Sequence, residues 1–205
     1  MLVILALSAC ARAAPAEDRA ASGGVRADLY ACEGCEIVDQ PDRDTLSWSM
    51  RIGGESEAGD PLVVEGTVFL PDGKTPASDV VIFAHQTDDT GICPEAFDDR
   101  GRQLRQGRLH GWVKTGLDGR YRFETIKPAP YPSMTMPAHI HLYIGEAGRR
   151  PYYIDDVVFA GEFGVDDAYI AAQELRGGSG IIELTRDSDG VLHARRDIVL
   201  EKHPS

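Results

Sequence analysis

Basic residues are scarce in this chain and never gather in one segment. It has 21 Lys and Arg against 33 Asp and Glu, which gives a formal net charge of −12. Nucleic-acid binding needs Lys and Arg collected on one surface, so we exclude this class of function. The sequence also lacks a Gly-x-Ser-x-Gly motif and a phosphate-binding loop. Serine hydrolase and nucleotide-dependent chemistry are therefore not indicated.

Long apolar runs are missing after the first ten residues, so no later segment has the length of a membrane-spanning helix. Residues 1–9 (MLVILALSA) are apolar, and the run LSAC ending at Cys10 resembles the lipobox of bacterial lipoproteins. In those proteins the cysteine is lipidated and becomes the first mature residue. No Lys or Arg precedes the run, and the run is short for a signal, which a start codon assigned too far downstream would explain.

We therefore predict a lipoprotein-type signal over residues 1–10 and a lipid anchor at Cys10. The protein would be exported to the periplasm or cell surface and held to the membrane by the lipid. The alternative is an ordinary secretory signal with an incidental cysteine. Residues 11–28 are small and polar, which predicts a flexible tether.

Cysteines are few, and three remain after Cys10. Cys32 and Cys35 form a CxxC motif, which is typical of half a zinc site, a redox pair or a small disulfide loop. No second pair with similar spacing exists for zinc, and the βαβ context of a thioredoxin-like protein is missing. A local disulfide between Cys32 and Cys35 is therefore favoured in an exported protein. Cys93 is left without a partner.

Glycine and proline, at 22 and 12 residues, separate short segments that alternate between apolar and polar side chains. This pattern predicts an all-β domain, a β-sandwich, over residues 61–205, preceded by an extension over residues 29–60 that carries the CxxC motif. The predicted strands are residues 62–70, 79–85, 121–126, 139–144, 152–159, 181–185 and 191–200, with one short helix around residues 169–175.

Three residues with metal-binding side chains lie close together in the sequence. His139 and His141 are two apart, so both imidazoles project from one face if the segment is a strand. Tyr131 precedes them, and a phenolate beside two imidazoles points towards ferric iron and oxygen chemistry. Non-enzymatic sandwich modules share the Asp-Gly-x-Tyr-x-Phe pattern, in which Tyr121 is a core residue, but they do not supply the His-x-His strand.

Residues 62–159 resemble the intradiol ring-cleavage dioxygenases, the family of catechol and protocatechuate dioxygenases. The residues that carry the resemblance are Gly66 to Val68, the strand ending at His85, Thr90-Gly91, Asp118 to Pro128, Tyr131-Pro132 and Pro137 to His141. The resemblance implies a β-sandwich of the intradiol type and a non-haem Fe(III) ion held by Tyr131, His139 and His141. It also implies a small aromatic diol and O₂ as substrates, with Tyr131 leaving the metal and accepting a proton when the diol binds. The chain, with Cys32 and Cys35 in its extension, also resembles an exported, lipoprotein-like branch of the family that carries a CxxC extension.

Two positions depart from the family pattern. Cys93 stands where the family has a second tyrosine ligand, and Met136 stands where an arginine commonly precedes Pro-x-His-x-His. Cys93 is either a thiolate ligand or a small residue that lines a void, because its side chain is shorter by an aromatic ring. Losing an anionic oxygen donor predicts that iron binds more weakly, that Fe(II) or another divalent metal is preferred, or that no metal binds. Tyr143, Tyr152 or Tyr153 could substitute for the missing tyrosine.

Two other classes of function compete with the enzyme. The chain could be a catalytically degenerate sandwich lipoprotein that binds a ligand or partner, or a cupin-like metal protein with Glu146 as the nearest carboxylate. The remaining polar residues have ordinary interpretations. We expect His85 and His110 to be surface or structural residues. We expect Asp155-Asp156 and Asp166-Asp167 to be solvated, with calcium binding as the alternative.

Overall fold

The computed structural model describes residues 24–97, 100–101 and 103–205. The predicted signal, Cys10 and residues 11–23 of the predicted tether lie outside the described residues. The strands of the described residues form two β-sheets, which pack face to face around one apolar core. Within the described residues, no helix has the length and apolar character needed to cross a membrane. The prediction of an all-β sandwich is confirmed.

The first sheet contains the longest strand and five shorter ones. Its members are β1 (Ser49–Arg51), β2 (Pro61–Phe69), β5 (Arg120–Ile126), β9 (Leu184–Arg186), β10 (Leu192–Arg195) and β11 (Ile198–Val199). The order is β1-β5-β2-β10-β9, and β11 also pairs with β2. Strand β2 alternates as the sequence predicts and sends Leu62, Val64 and Val68 into the core.

The second sheet has the order β4-β3-β6-β7-β8. Its strands are β3 (Val81–Gln86), β4 (His110–Lys114), β6 (His139–Gly145), β7 (Tyr152–Phe159) and β8 (Ile181–Ile182). One face of this sheet supplies the core with residues such as Ile82, Leu142 and Ile154. The opposite face carries the polar and aromatic residues of the same strands, and the candidate site lies there.

Two predicted strands are interrupted, each for a visible reason. The segment 181–185 divides because β8 pairs with β7 while β9 pairs with β10, so the chain passes from one sheet to the other at Glu183. The segment 191–200 breaks at Arg196 and Asp197, where the Asp197 side chain accepts a hydrogen bond from the backbone of β2. Strands β1 and β4 were not predicted, and the short helix α1 spans Asp167–Ala172 rather than residues 169–175.

The extension before β2 packs on the sandwich. Strand β1 forms the edge of the first sheet beside β5. A 3-10 helix, Cys35–Asp39, covers the outer face of the second sheet, where Ile37 and Val38 join Val81 and Phe83 in a small apolar cluster. The indole nitrogen of Trp112 donates a hydrogen bond of 2.9 Å to the Ile37 carbonyl. Cys32 and Cys35 are joined by a disulfide at the start of this helix.

Candidate metal centre

Strand β6 brings His139 and His141 together on the outer face of the second sheet. The Nε2 atoms of the two imidazoles are 3.1 Å apart. Residues two apart in a strand share a face, which explains why both rings project from the same side. His139 is buried, at 4% exposure, and burial together with the neighbouring His141 lowers its pKa. His139 is therefore held in its neutral form, which is the form that binds metals.

Hydrogen bonds to the outer nitrogens define which atoms face inward. Nδ1 of His139 is 2.8 Å from the Pro137 carbonyl, and a carbonyl oxygen can only accept. Nδ1 of His141 is 3.0 Å from Oδ1 of Asp156. Each Nδ1 therefore donates its proton outward, which leaves Nε2 as the nitrogen of each ring that can bind a metal. Two lone pairs at 3.1 Å repel each other unless a proton or a cation lies between them.

Tyr131 lies against the histidine pair, with its ring centroid 5.2 Å from that of His139 in an edge-on arrangement. Burial raises the pKa of the Tyr131 phenol, and the neighbouring Cys93 and Asp156 raise it further. The structure thus brings together the three residues that the sequence picked out as metal ligands, Tyr131, His139 and His141.

The position of Tyr131 depends on contacts with a distant segment, residues 87–91. The Thr87 hydroxyl donates a hydrogen bond of 2.8 Å to the Ala129 carbonyl, and the Ala129 amide donates one of 2.9 Å to the Asp88 carbonyl. Gly91, with a φ of +81°, packs so closely that a Cβ there would overlap the carbonyl oxygen of Pro130. Only glycine allows this approach, and it locks the backbone directly before Tyr131.

Cys93 lies near Tyr131, whose pKa it raises, but it is not part of the histidine cluster. Among the described residues, the only group of three or more His, Cys, Asp or Glu with ligand atoms all within 4.8 Å of one another is His139, His141 and Asp156. The half-buried thiol of Cys93 instead lines a separate cavity of about 300 Å³ beside Leu104 and Gly107. Burial raises its pKa, which disfavours the thiolate that a metal would need.

Met136 and the three candidate tyrosines have different surroundings. Met136 is 41% exposed and brings no charge. Tyr152 is fully buried and bonds Glu146, and the Arg176 guanidinium lies 4.1 Å from the centroid of the Tyr153 ring. Tyr143 alone shares the outer face of β6 with the histidines, and its hydroxyl is 3.4 Å from Nε2 of His85.

Our expectation for Asp155 and Asp156 was wrong, because a β-bulge uses both residues. Ile140 pairs with Val157 and Leu142 with Ile154, so the two aspartates stand opposite His141 alone. This extra residue turns both side chains to the outer face. The Asp156 carboxylate contacts His141. The Asp155 carboxylate accepts hydrogen bonds from the backbone amides of residues 175 and 176 at 2.8 and 3.2 Å. Two polar residues between the buried Ile154 and Val157 were the available signal in the sequence.

His85 belongs to the site's surroundings, which the sequence did not indicate. It pairs across the strands with His141, and the two rings stack with centroids 4.4 Å apart. Burial, and then the neighbouring His141, His139 and His110, lower the pKa of His85 to about 3. His85 is therefore a neutral ring that packs against one face of His141. His110 follows in the same row and bonds the Gly107 carbonyl at 2.6 Å.

A cavity of about 380 Å³ opens beside His141 and Asp156. Its walls carry three tyrosine rings and part of the disulfide loop, namely Tyr143, Tyr153, Tyr169 and Cys32. A volume of this size holds a single aromatic ring.

The second acidic pair, Asp166-Asp167, has a structural role. The Asp166 side chain caps helix α1 by accepting a hydrogen bond from the Tyr169 amide.

The donor set fits a metal ion. Two imidazole nitrogens bonded to one ion at about 2.1 Å lie about 3 Å apart when the bonds meet near a right angle, and the observed separation is 3.1 Å. A phenol next to this pair adds a donor that suits ferric iron. Glu146, the carboxylate that a cupin-like site would need, instead bonds Tyr152 and His203.

Comparisons with known proteins agree with the sequence resemblance. The family model described as Dioxygenase matches residues 36–200. Catechol 1,2-dioxygenase 1 of Acinetobacter lwoffii is 36% identical over 105 residues, which are 50% of this chain and 32% of that protein. Catechol 1,2-dioxygenase of Acinetobacter baylyi is 27% identical over 188 residues, 72% of this chain and 59% of that protein. The chain thus spans less than two thirds of the length of these relatives.

Solved structures show the same fold. The dioxygenase domain of a carbohydrate-binding fusion protein from Streptomyces sp. SirexAA-E has a TM-score of 0.55 at 24% identity, over 74% of this chain and 86% of that one. Catechol 1,2-dioxygenase from Acinetobacter sp. ADP1 has a TM-score of 0.55 at 22% identity, over 76% and 57% of the two chains. At these identities the likeness concerns the fold alone. On the family match over residues 36–200, the chain belongs to the intradiol ring-cleavage dioxygenase family.

Proposed function

We propose that the protein is an intradiol-type dioxygenase that opens a small aromatic diol with O₂ at a non-haem Fe(III) ion. Tyr131, His139 and His141 would hold the ion. The observation that carries the proposal is the convergence of the two Nε2 atoms, 3.1 Å apart, beside the ring of Tyr131, within the region matched by the family. These are the nitrogen and phenolate donors that the family's chemistry needs.

The chain's own residues have definable tasks in this reaction. When bound, the ferric ion supplies the Lewis acidity that makes a coordinated diol reactive towards O₂. His139 and His141 present their Nε2 atoms to the ion, because each Nδ1 proton is donated outward. Burial raises the pKa of Tyr131 and so favours its protonated form. The phenolate oxygen of Tyr131 is therefore suited to accept a proton from an arriving diol.

The diol would bind where the Nε2 atoms of His139 and His141 converge, beside Tyr131. The cavity of about 380 Å³ is not assigned to the aromatic ring, because Asp156 lines it and neither Tyr131 nor His139 does. The reaction balances with O₂ alone: the bond between the two hydroxyl-bearing carbons breaks, and both oxygen atoms enter the resulting diacid.

A specific observation supports one alternative, in which the protein is a β-sandwich that binds a ligand without catalysing its conversion. Cys93 replaces the family's second tyrosine and faces a separate cavity, so the proposed site has one anionic donor fewer than the resemblance implies. The charge that an arginine would bring is also missing at Met136. Iron would then be held more weakly, or as Fe(II).

We also propose that the protein is exported and lipid-anchored through Cys10. The support is the apolar residues 1–9 with their lipobox-like ending and the disulfide between Cys32 and Cys35, a bond typical of oxidising compartments. Radiolabelled palmitate incorporated by the wild-type chain and absent from Cys10→Ser would support the anchor. Equal labelling of the two would contradict it.

The test of the metal site is the visible spectrum of the iron-loaded protein. A tyrosinate bound to Fe(III) gives a burgundy charge-transfer band, which Tyr131→Phe should abolish. Tyr30→Phe is the matched control, because Tyr30 bonds His203 away from the site. A protein that stays colourless after iron loading, or a band that survives Tyr131→Phe, would contradict the proposed ligand set.

A further inference from the structure

The bulge in β7 gives its two aspartates separate tasks. Asp155 is engaged by the backbone amides of residues 175 and 176 and so holds the turn after α1. The side chain of Asp156 is 25% exposed and bonds His141. Gly180 of the neighbouring loop fits under this bulge, because a Cβ at Gly180 would overlap the Asp156 carbonyl. The backbone of Asp156 is thus fixed by close packing as well as by pairing.

The geometry separates two possible roles for the Asp156 carboxylate. Its Oδ1 is 3.0 Å from Nδ1 of His141, while Nε2 of the same ring faces His139 at 3.1 Å. Nδ1 and Nε2 point to different sides of an imidazole. The carboxylate therefore lies behind His141 as seen from the point where the Nε2 atoms converge. This placement suits a hydrogen-bond partner of the ligand rather than a ligand.

The charge of this partner matters because the two histidines differ. His139 donates to the neutral carbonyl of Pro137, whereas His141 donates to a carboxylate. A carboxylate acceptor fixes the ring's tautomer and orientation and makes Nε2 a stronger donor to a metal. Cys93 removes one anionic donor from the centre that the resemblance implies. The Asp156 carboxylate supplies a negative charge to the site, separated from the proposed metal position by the imidazole ring of His141.

We propose that Asp156 is a positioning residue that holds His141 in the Nδ1–H form and strengthens the binding of a metal ion at Nε2. The inference rests on the proposed function, since it presupposes that His139 and His141 bind the ion. His85 supports the same ring from the side by stacking, and Asp156 determines its rotation and its electron density.

Three variants and one control test the proposal in the full-length protein. Asp156→Asn keeps an acceptor but loses the charge, Asp156→Ala loses both, and Asp156→Glu restores the charge at a greater reach. Asp187→Asn is the matched control, because Asp187 makes a hydrogen bond of 2.9 Å to His193 on the surface. Thermal melts verify that each variant folds.

The first measurement is the nitrogen-15 NMR spectrum of the histidine rings in metal-free protein. In the wild type, His141 should give the pattern of a single Nδ1–H tautomer, and in Asp156→Ala it should change to a mixture of tautomers. The second is Co²⁺ affinity by titration calorimetry. Losing the hydrogen-bond partner of a metal-binding histidine weakens metal binding by about 10- to 100-fold. We expect Asp156→Ala at the upper end, Asp156→Asn between it and the wild type, and Asp187→Asn unchanged.

The tyrosinate band of the Fe(III) form tests the direction in which the Asp156 charge acts. Removing the Asp156 charge makes the ion a better electron acceptor, so the tyrosinate band should move to longer wavelength in Asp156→Asn and return with Asp156→Glu. Equal Co²⁺ affinity in wild type and Asp156→Ala would overturn the inference and leave the proposed function standing, as would a tautomer that does not change. A wild-type protein that binds neither Co²⁺ nor iron would overturn both.

Discussion

Replacing Gly91 with alanine should displace Tyr131 without touching any proposed ligand. Gly91 has a φ of +81°, and a Cβ there falls far inside the 3.0 Å that real Cβ atoms keep from the Pro130 carbonyl oxygen. The left-handed backbone alone costs an alanine about 1–2 kcal/mol. Relieving the overlap means moving the Pro130 carbonyl by roughly 1 Å, which adds about 1–3 kcal/mol, as for other overpacked sites.

Gly73→Ala separates these two costs. Gly73 has a similar φ of +68° and nothing within 4 Å of an added Cβ, so it carries the backbone cost alone. Denaturant unfolding should therefore show Gly91→Ala as less stable than Gly73→Ala by about 1–3 kcal/mol. The iron-loaded Gly91→Ala protein should also lose most of the tyrosinate band, which Gly73→Ala retains. If the two variants are alike in stability and colour, Gly91 does not position Tyr131.

Three further outcomes are expected. Because the pKa of His85 falls from 6.5 to about 3, the unfolded chain takes up a proton below pH 6.5 that the folded protein refuses. The free energy of unfolding of the metal-free protein should therefore decrease from pH 6.5 towards pH 3, and His85→Phe should flatten that slope in denaturant titrations. The double variant Cys32→Ser, Cys35→Ser removes a disulfide whose cysteines are only 3 positions apart. Calorimetry should therefore show that the free energy of unfolding falls by only about 2 kcal/mol, and a loss of global folding would refute this. Arg196→Met should destabilise by about 3 kcal/mol or more, because the buried guanidinium bonds the backbone carbonyls of residues 176, 178 and 179; an unchanged unfolding midpoint would contradict that role.

The sequence predicted those parts of the fold that depend on local patterns. Alternation located β2, β5, β6 and β7, and the two-residue spacing of His139 and His141 predicted that they share a face. Strand ends and breaks were less accessible, because the passage at Glu183 from one sheet to the other depends on pairing partners rather than on local propensity. Strand β4 was missed because it begins with His110 and Gly111, which favour no strand by themselves.

The surroundings of the site were hidden for a different reason. His85 meets His141 only through the register of two strands that lie 56 positions apart in the chain. Asp156 faces His141 only because a bulge adds one residue to β7. Gly91 belongs to the family pattern in the sequence, while its contact with the Pro130 carbonyl arises from tertiary packing. Spacing in the sequence identifies candidate ligands, and long-range contacts decide what orients them.

The most direct test of the proposed activity is the reaction of the iron-loaded protein with catechol under ¹⁸O₂. Our account predicts a cis,cis-muconate-type diacid that carries two labelled oxygen atoms, formed by the wild type and lost in His139→Ala and His141→Ala. Mass spectrometry measures the label, and NMR identifies the position of ring cleavage. Unchanged catechol after incubation with a protein shown to contain iron, or a product cleaved outside the two hydroxyl-bearing carbons, would contradict it.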